Sequence, residues 1–315
     1  VHLARVGHEA HLWARDSALA AEMDARRINP VYLPEIPFPA NLRVESDLAA
    51  ALGSSDLVVA AVPSHGTREI LRRAVPHMRP GVTIVSATKG LERDTLFRVS
   101  EIIEQECGAS TSVAVLSGPS FAIELARELP TAVSIASRDS AVVERVQAEF
   151  KAPYFRLYGT DDVVGVEIGG ALKNIIAIAA GMVEGLGLGH NALAGLVTRG
   201  LAEISRLACA AGGKRETLAG LTGLGDLVLT CTGELSRNRH VGIQLASGRA
   251  LEDVLGGMKM VAEGVRTTEA ALALASRYGV ELPIAAQVAE LLAGRKDART
   301  ALSELMIRPQ RAEVG

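Results

Sequence analysis

Lys173 has the surroundings most suited to chemistry. It stands in the run Val166-Glu167-Ile168-Gly169-Gly170-Ala171-Leu172-Lys173-Asn174-Ile175-Ile176, largely apolar and of helical character. A lysine desolvated in such a helix holds its charge less strongly and can exchange protons near neutral pH. The same lysine with a packed stem and an ammonium reaching water would be ordinary. Gly169 and Gly170 favour the chemical reading, because mid-helix glycine lowers helix stability and implies close approach of another element or a ligand. Asp226 lies between glycines and the apolar stretch 227–229, where an unpaired carboxylate is costly. It either pairs with Lys173 or caps the helix that follows. Ser236-Arg237-Asn238-Arg239 precedes a helical pattern. Free backbone N–H groups, a helix dipole and a guanidinium can together hold a phosphate, although so short a string is weak by itself.

Two further stretches follow expected strands. Lys89-Gly90 comes after Ala87-Thr88, and Ser117-Gly118-Pro119-Ser120 closes the next strand. Ligands of open α/β sheets bind at such strand ends, and plain turns occur there too. The seven histidines show no metal or nucleophile spacing. Cys107, Cys209 and Cys231 are scattered and odd in number, which argues against a disulfide framework or a zinc site and fits a reducing cytoplasm.

The elements that must position these residues fall into two textures. Up to residue 162, apolar strands (8–14, 57–62, 82–86, 112–116, 132–136 and 154–157) alternate with helical patterns at 47–52, 67–78, 91–107 and 141–150. That alternation predicts a parallel sheet covered on both faces, a doubly wound α/β domain. From residue 163 helical patterns succeed one another without strands: 163–183, 191–211, 216–220, 238–246, 250–256, 267–278, 284–292 and 298–306. The expected domains are therefore 1–162 and 163–315. With 48% hydrophobic and 22% charged residues, interspersed signs and a net charge of −3, the chain shows neither a nucleic-acid surface nor a disordered arm. No apolar run reaches the ~18 residues of a membrane span, since residues 163–183 are interrupted by Glu167 and Lys173.

A doubly wound domain that binds a dinucleotide should carry G-x-G-x-x-G after its first strand. Gly185, Gly187 and Gly189 are only loosely spaced in that way, and they follow a helix. The opening residues read instead as the end of a helix closed by Gly7, with neither an initiator Met nor a leader. The expectation is that the first strand, the phosphate loop and most of the first helix precede Val1. Residues 8–14 would then be the second strand, with Arg15 just beyond its end. An arginine there can meet the 2′-phosphate of NADP, and it can equally be a surface residue.

In order along the chain, several strings together resemble the bacterial NAD(P)-dependent glycerol-3-phosphate dehydrogenases. They begin with Leu12-Trp13-Ala14-Arg15-Asp16, Val62-Pro63-Ser64-His65, Ala87-Thr88-Lys89-Gly90-Leu91-Glu92 and Ser117-Gly118-Pro119-Ser120-Phe121-Ala122. They continue with Gly169-Gly170-Ala171-Leu172-Lys173-Asn174, Thr198-Arg199-Gly200-Leu201-Ala202-Glu203, Gly223-Leu224-Gly225-Asp226-Leu227, Ser236-Arg237-Asn238-Arg239 and Val261-Ala262-Glu263-Gly264. Each string is weak; the ordered set is specific. The resemblance implies a Rossmann-like N-terminal domain without its first strand and Gly-rich loop, followed by an all-helical domain. It implies reversible reduction of dihydroxyacetone phosphate to glycerol 3-phosphate with NADP or NAD, feeding phospholipid synthesis in the cytoplasm, by a homodimer.

By the same resemblance Lys173 is the general acid/base, with Asp226 its neighbour. Ser236, Arg237 and Asn238 hold substrate, joined by Lys89, Gly118 and Ser120. Arg15, Tyr32, Lys89, Ala122, Arg237, Val261 and Glu263 match cofactor-side positions, and no metal is implied. The absent glycine loop and His190 depart from the family pattern. Two rival readings are a dehydrogenase of similar plan acting on β-hydroxyacids or sugar acids, and a non-catalytic nucleotide sensor. The phosphate logic of residues 236–239 argues against the first, and joint retention of Lys173 and Asp226 against the second.

Overall fold

The computed structural model describes residues 1–108, 111–258 and 262–309. The chain divides into two compact units. The first contains Val1–Lys89 and Arg98–Glu167, and the second contains Gly90–Phe97 and the chain from Ile168 onward. The segment 90–97 thus groups with the helical part, and the division falls five residues beyond the expected one.

In the first unit a short helix His2–Arg5 ends before Gly7, whose φ of +105° suits glycine. The strands are β1 (Ala10–Trp13), β2 (Ile28–Asn29), β3 (Leu33–Pro37), β4 (Leu42–Glu45), β5 (Leu57–Ala60), β6 (Thr83–Ser86), β7 (Ser112–Ser117), β8 (Thr131–Ala136) and β9 (Phe155–Thr160). β1 pairs in parallel with β4, β2 pairs antiparallel with β3, and the main sheet runs β5-β6-β7-β8-β9. The main sheet is mixed rather than wholly parallel as expected, because β7 and β8 are antiparallel. The link 118–130 folds at the carboxyl end of β7, with only the five-residue helix Ala122–Ala126 inside it. It does not cross a face of the sheet, so β8 returns in the opposite direction. The helix Ser140–Glu149 then crosses the sheet and makes β9 parallel to β8. Its Val142, Val143 and Val146 pack on Ala114, Val133 and Ile135, while Val115 and Ala136 pack on Val163 and Val166 at the opposite face.

The helix expected over 91–107 begins only at Val99. Gly90 and Leu96 take positive φ, and a tight turn is closed by Glu92 N–H to Phe97 O and Leu96 N–H to Glu92 O, which leaves no helical register before Arg98. The helix Val99–Cys107 starts where Glu167 reaches across. The Glu167 carboxylate accepts from Arg98 Nη1 at 2.8 Å, from Ser100 N–H at 2.7 Å and from Ser100 Oγ at 2.6 Å. Burial still pushes the Glu167 carboxyl above its ordinary value, against the opposing pull of Arg98.

The second unit is built around the helix Val163–Gly185, whose apolar residues Ile168, Ala171, Leu172, Ile175, Ile176 and Ile178 are all buried. By length and composition this helix could cross a membrane despite Glu167 and Lys173, the two residues on which the sequence set it aside. However, 94% of its apolar window is buried inside the protein, as expected for a helix that is apolar on every side. Around it lie Gly189–Ala210, Arg215–Ala219, Asp226–Thr232, Arg237–Ala246, Leu251–Gly256, Glu263–Arg277, Pro283–Leu292 and Ala298–Met306.

Candidate active site

Lys173 projects from the middle of the Val163–Gly185 helix into a site with little water access. Its Nζ donates to Asp226 Oδ1 at 2.5 Å and to Thr230 Oγ1 at 2.8 Å. The lysine and aspartate side chains are 9% and 2% exposed, so this is a buried ion pair and not a surface contact. The lysine is therefore not the snorkelling residue of the ordinary reading. Asp226 does not cap its own helix with its side chain; it serves as the lysine's partner. Thr230, one helical turn beyond Asp226, donates its hydroxyl to the Asp226 backbone carbonyl at 2.6 Å and so presents a lone pair to Nζ.

The local sequence explains how the pair meets. A Cβ on Gly169 would lie 3.0 Å from Leu218 Cδ1 and 3.2 Å from the Thr222 carbonyl oxygen. The missing side chain therefore lets the 215–225 segment approach the central helix one turn before Lys173. That segment enters the Asp226–Thr232 helix through the π-helical turn Leu221–Gly225, a widened turn frequent at functional sites. Gly223 tightens it further, since a Cβ there would fall 1.9 Å from the Leu218 carbonyl oxygen.

A second junction lies one residue along. Asn238 Oδ1 accepts from Gly264 N–H at 3.0 Å. A Cβ on Gly264 would sit 2.6 Å from the Asn174 carbonyl oxygen. Asn174, Asn238 and Gly264 thus bring three helices together beside Lys173 and Glu263. Ser236 caps the Arg237–Ala246 helix, its Oγ accepting from Arg239 N–H. Ser236 and Asn238 are buried and Arg237 is exposed at the first helical position. Cys231 neighbours the pair, and burial pushes its thiol up to about 12; Cys107 in the first unit is pushed up to about 11 for the same reason. Neither thiol supplies a thiolate at neutral pH.

Within the first unit the expected residues gather at strand ends. Lys89 follows β6, and Gly118, Ser120 and Ala122 follow β7. Arg15 is exposed directly after β1, just before Asp16 caps the helix Ser17–Arg26. Tyr32 is half exposed between β2 and β3. Gly118 has a φ of +142°, and a Cβ there would meet Val133 Cα at 2.9 Å. Ser120 Oγ donates to the Gly118 carbonyl at 3.1 Å. Ser86 and Ser117, the last residues of β6 and β7, bury hydroxyls that have no hydrogen-bond partner among the described residues. Partnerless polar atoms at the carboxyl ends of adjacent strands fit a polar ligand of the dinucleotide kind. Val261 lies outside the described residues. Gly185, Gly187 and Gly189 join two helices, with Gly187 and Gly189 at positive φ, and form no phosphate loop. His190 is exposed in the first turn of the Gly189–Ala210 helix. Among the described residues no cluster of His, Cys, Asp and Glu could hold a metal.

Sequence reasoning placed Lys173 and Asp226 together but gave Thr230 no role, although its i+4 spacing from Asp226 was the available signal. It also missed Glu203. That buried carboxylate accepts from Ile284 N–H at 2.7 Å and Ala285 N–H at 3.4 Å. It therefore caps the Pro283–Leu292 helix, whose own N-cap, Leu282, has no capping side chain. Burial pushes Glu203 up to about 7, against the hydrogen bonds that favour its charged form.

A Rossmann-like α/β unit and a helical unit with a buried lysine–aspartate pair fit a nicotinamide-linked oxidoreductase. Family models described as the NAD-dependent glycerol-3-phosphate dehydrogenase N-terminus and C-terminus match residues 1–143 and 162–303. The chain belongs to that family. It is 50% identical to the glycerol-3-phosphate dehydrogenase [NAD(P)+] of Koribacter versatilis over 98% of this chain and 93% of that protein. It is 51% identical to the protein of the same name from Geobacter metallireducens, over 99% and 94%. The crystal structure of glycerol-3-phosphate dehydrogenase from Coxiella burnetii superposes with a TM-score of 0.94 at 41% identity, covering 98% of this chain and 94% of that one.

Proposed function

We propose that the protein interconverts dihydroxyacetone phosphate and glycerol 3-phosphate with Lys173 as general acid/base. The observation that carries this reading is the buried contact of Lys173 Nζ with Asp226 and Thr230. When bound, the nicotinamide supplies or accepts the hydride at C2. In the reducing direction the Lys173 ammonium faces the charge that develops on the C2 oxygen and gives it a proton. In the oxidising direction the neutral amine takes that proton back. Asp226 balances the ammonium in a site where an unpaired charge would be costly. Thr230 fixes the direction of Nζ.

Ser236, Arg237 and Asn238 hold the substrate, and the phosphate supplies binding energy away from the reacting carbon. The Asn238 amide oxygen is already committed to Gly264, so it offers its NH2 group to an oxygen acceptor. Lys89, Gly118 and Ser120 belong to the same proposed substrate set by resemblance to the family. Arg15, Tyr32, Lys89, Ala122, Arg237 and Glu263, with Val261, serve NADP or NAD. We further propose that the enzyme works in the cytoplasm as a homodimer and feeds phospholipid synthesis.

The test follows NADPH and NADH oxidation by the full-length gene product with dihydroxyacetone phosphate, beside 3-oxo acids and sugar acids. Turnover confined to dihydroxyacetone phosphate is expected. Preference for a 3-oxo acid would overturn the substrate assignment.

A further inference from the structure

Arg239 ends the Ser236-Arg237-Asn238-Arg239 string, and the roles above use only its first three members. Its guanidinium makes a two-pronged contact with Glu184: Nε to Oε2 at 2.7 Å and Nη2 to Oε1 at 2.7 Å. Nη1 reaches the carbonyl of Gly233 at 3.4 Å, and the Arg239 backbone N–H is held by Ser236 Oγ at 3.3 Å. One residue therefore grips both ends of the 233–236 turn. Glu184 lies in the last turn of the Val163–Gly185 helix, about three turns beyond Lys173.

Between these points the two helices touch through their backbones. A Cβ on Gly181 would fall 1.9 Å from the Arg239 carbonyl oxygen, and one on Gly242 would fall 1.9 Å from that of Ile178. The crossing leaves no room for sliding, and the planar fork of Arg239 fixes its rotation.

We propose that Arg239 is a positioning residue: it registers the substrate-holding turn on the helix that carries Lys173 and does not itself touch substrate. The proposal rests on the reading that Ser236, Arg237 and Asn238 bind substrate. It explains why two arginines two residues apart have different surroundings. Arg237 is exposed at the helix start, whereas the Arg239 side chain is 14% exposed. A displacement of about 1 Å in a substrate-holding group can lower a rate about 100-fold, so a turn built on the four-residue link 233–236 gains from such an anchor.

The test uses the full-length protein as wild type, Arg239→Met, Glu184→Gln and the double variant. Each single change is expected to raise KM for dihydroxyacetone phosphate about tenfold or more, with kcat within about threefold. The double variant should be no worse than the worse single one, because both remove one link. Amide hydrogen exchange over 233–239, measured without substrate, should quicken in both single variants. A Glu184→Gln enzyme with wild-type KM and exchange, beside a damaged Arg239→Met, would overturn the proposal and make Arg239 a direct ligand. A fall in melting temperature with unchanged KM and exchange would reduce the pair to an ordinary structural contact and also overturn it. If the wild type failed to turn over dihydroxyacetone phosphate, the binding roles would fall. The exchange measurement would still decide the link: faster exchange supports it, unchanged exchange overturns it.

Discussion

Lys173 and Asp226 stand 53 residues apart in the chain and meet at 2.5 Å, each almost wholly removed from water. Removing either member has unequal consequences. Lys173→Ala takes away the proton donor and should lower kcat by about 100-fold to 10,000-fold, and it removes the ammonium that balances the buried Asp226, which destabilises the fold. Asp226→Asn keeps the lysine but removes the carboxylate charge facing it, and should lower stability by roughly 3 kcal/mol. Steady-state kinetics and urea unfolding on the two variants check this. Retention of kcat in Lys173→Ala would remove the lysine from the mechanism. Thr230→Val should be milder, with a loss of about tenfold in kcat.

Glu203 gives a pH dependence whose sign can be worked out. Its folded-state value is about 7, and an unfolded glutamate titrates near ~4.3. Between these values the folded chain holds a proton that the unfolded chain has released. Stability therefore falls as pH rises from about 4.3 to about 7, by roughly 4 kcal/mol in total, and is level above that. Glu203→Gln keeps an oxygen for the Ile284 N–H and should remove this slope. Urea titrations at pH 5 and pH 8 on both proteins measure it; parallel stabilities across the two pH values would show that Glu203 does not titrate in this window.

The glycine contacts predict steep local intolerance. Gly242→Ala would push a methyl group into the Ile178 carbonyl. It should lower stability by about 3 kcal/mol, at the upper end of overpacking effects. Gly195→Ala, on the Gly189–Ala210 helix where a Cβ meets nothing within 4 Å, should be neutral or slightly stabilising. Thermal melts of the two variants separate backbone contact from helix propensity.

Arg15 is exposed immediately after β1. Arg15→Glu should shift preference from NADPH toward NADH by about tenfold or more in kcat/KM, since an acidic residue at that place favours free ribose hydroxyls. An unchanged ratio would return Arg15 to the surface.

Much of this arrangement was legible in the sequence, for a physical reason in each case. The central helix announced itself by continuous apolar residues around one lysine. Gly169 announced a close neighbour, which proved to be the segment that delivers Asp226. Elements with little burial were missed. The helix Ser17–Arg26 buries only Ala20 and Met23, and β3 contains Pro34 and Pro37, which read as breakers although an edge strand tolerates them. The false helix over 91–98 had the right composition, but positive φ at Gly90 and Leu96 is not visible as spacing. The partner of Glu203 lies 81 residues away, and no local pattern points to it.

The unequal burial of the cysteines has a practical use. Cys231 and Cys107 are held protonated by burial, and Cys209 alone of the three is exposed, near the end of the Gly189–Ala210 helix. Of these three, Cys209 should therefore be the one that a maleimide dye labels at neutral pH, placing a fluorescent reporter on the helical unit with turnover intact.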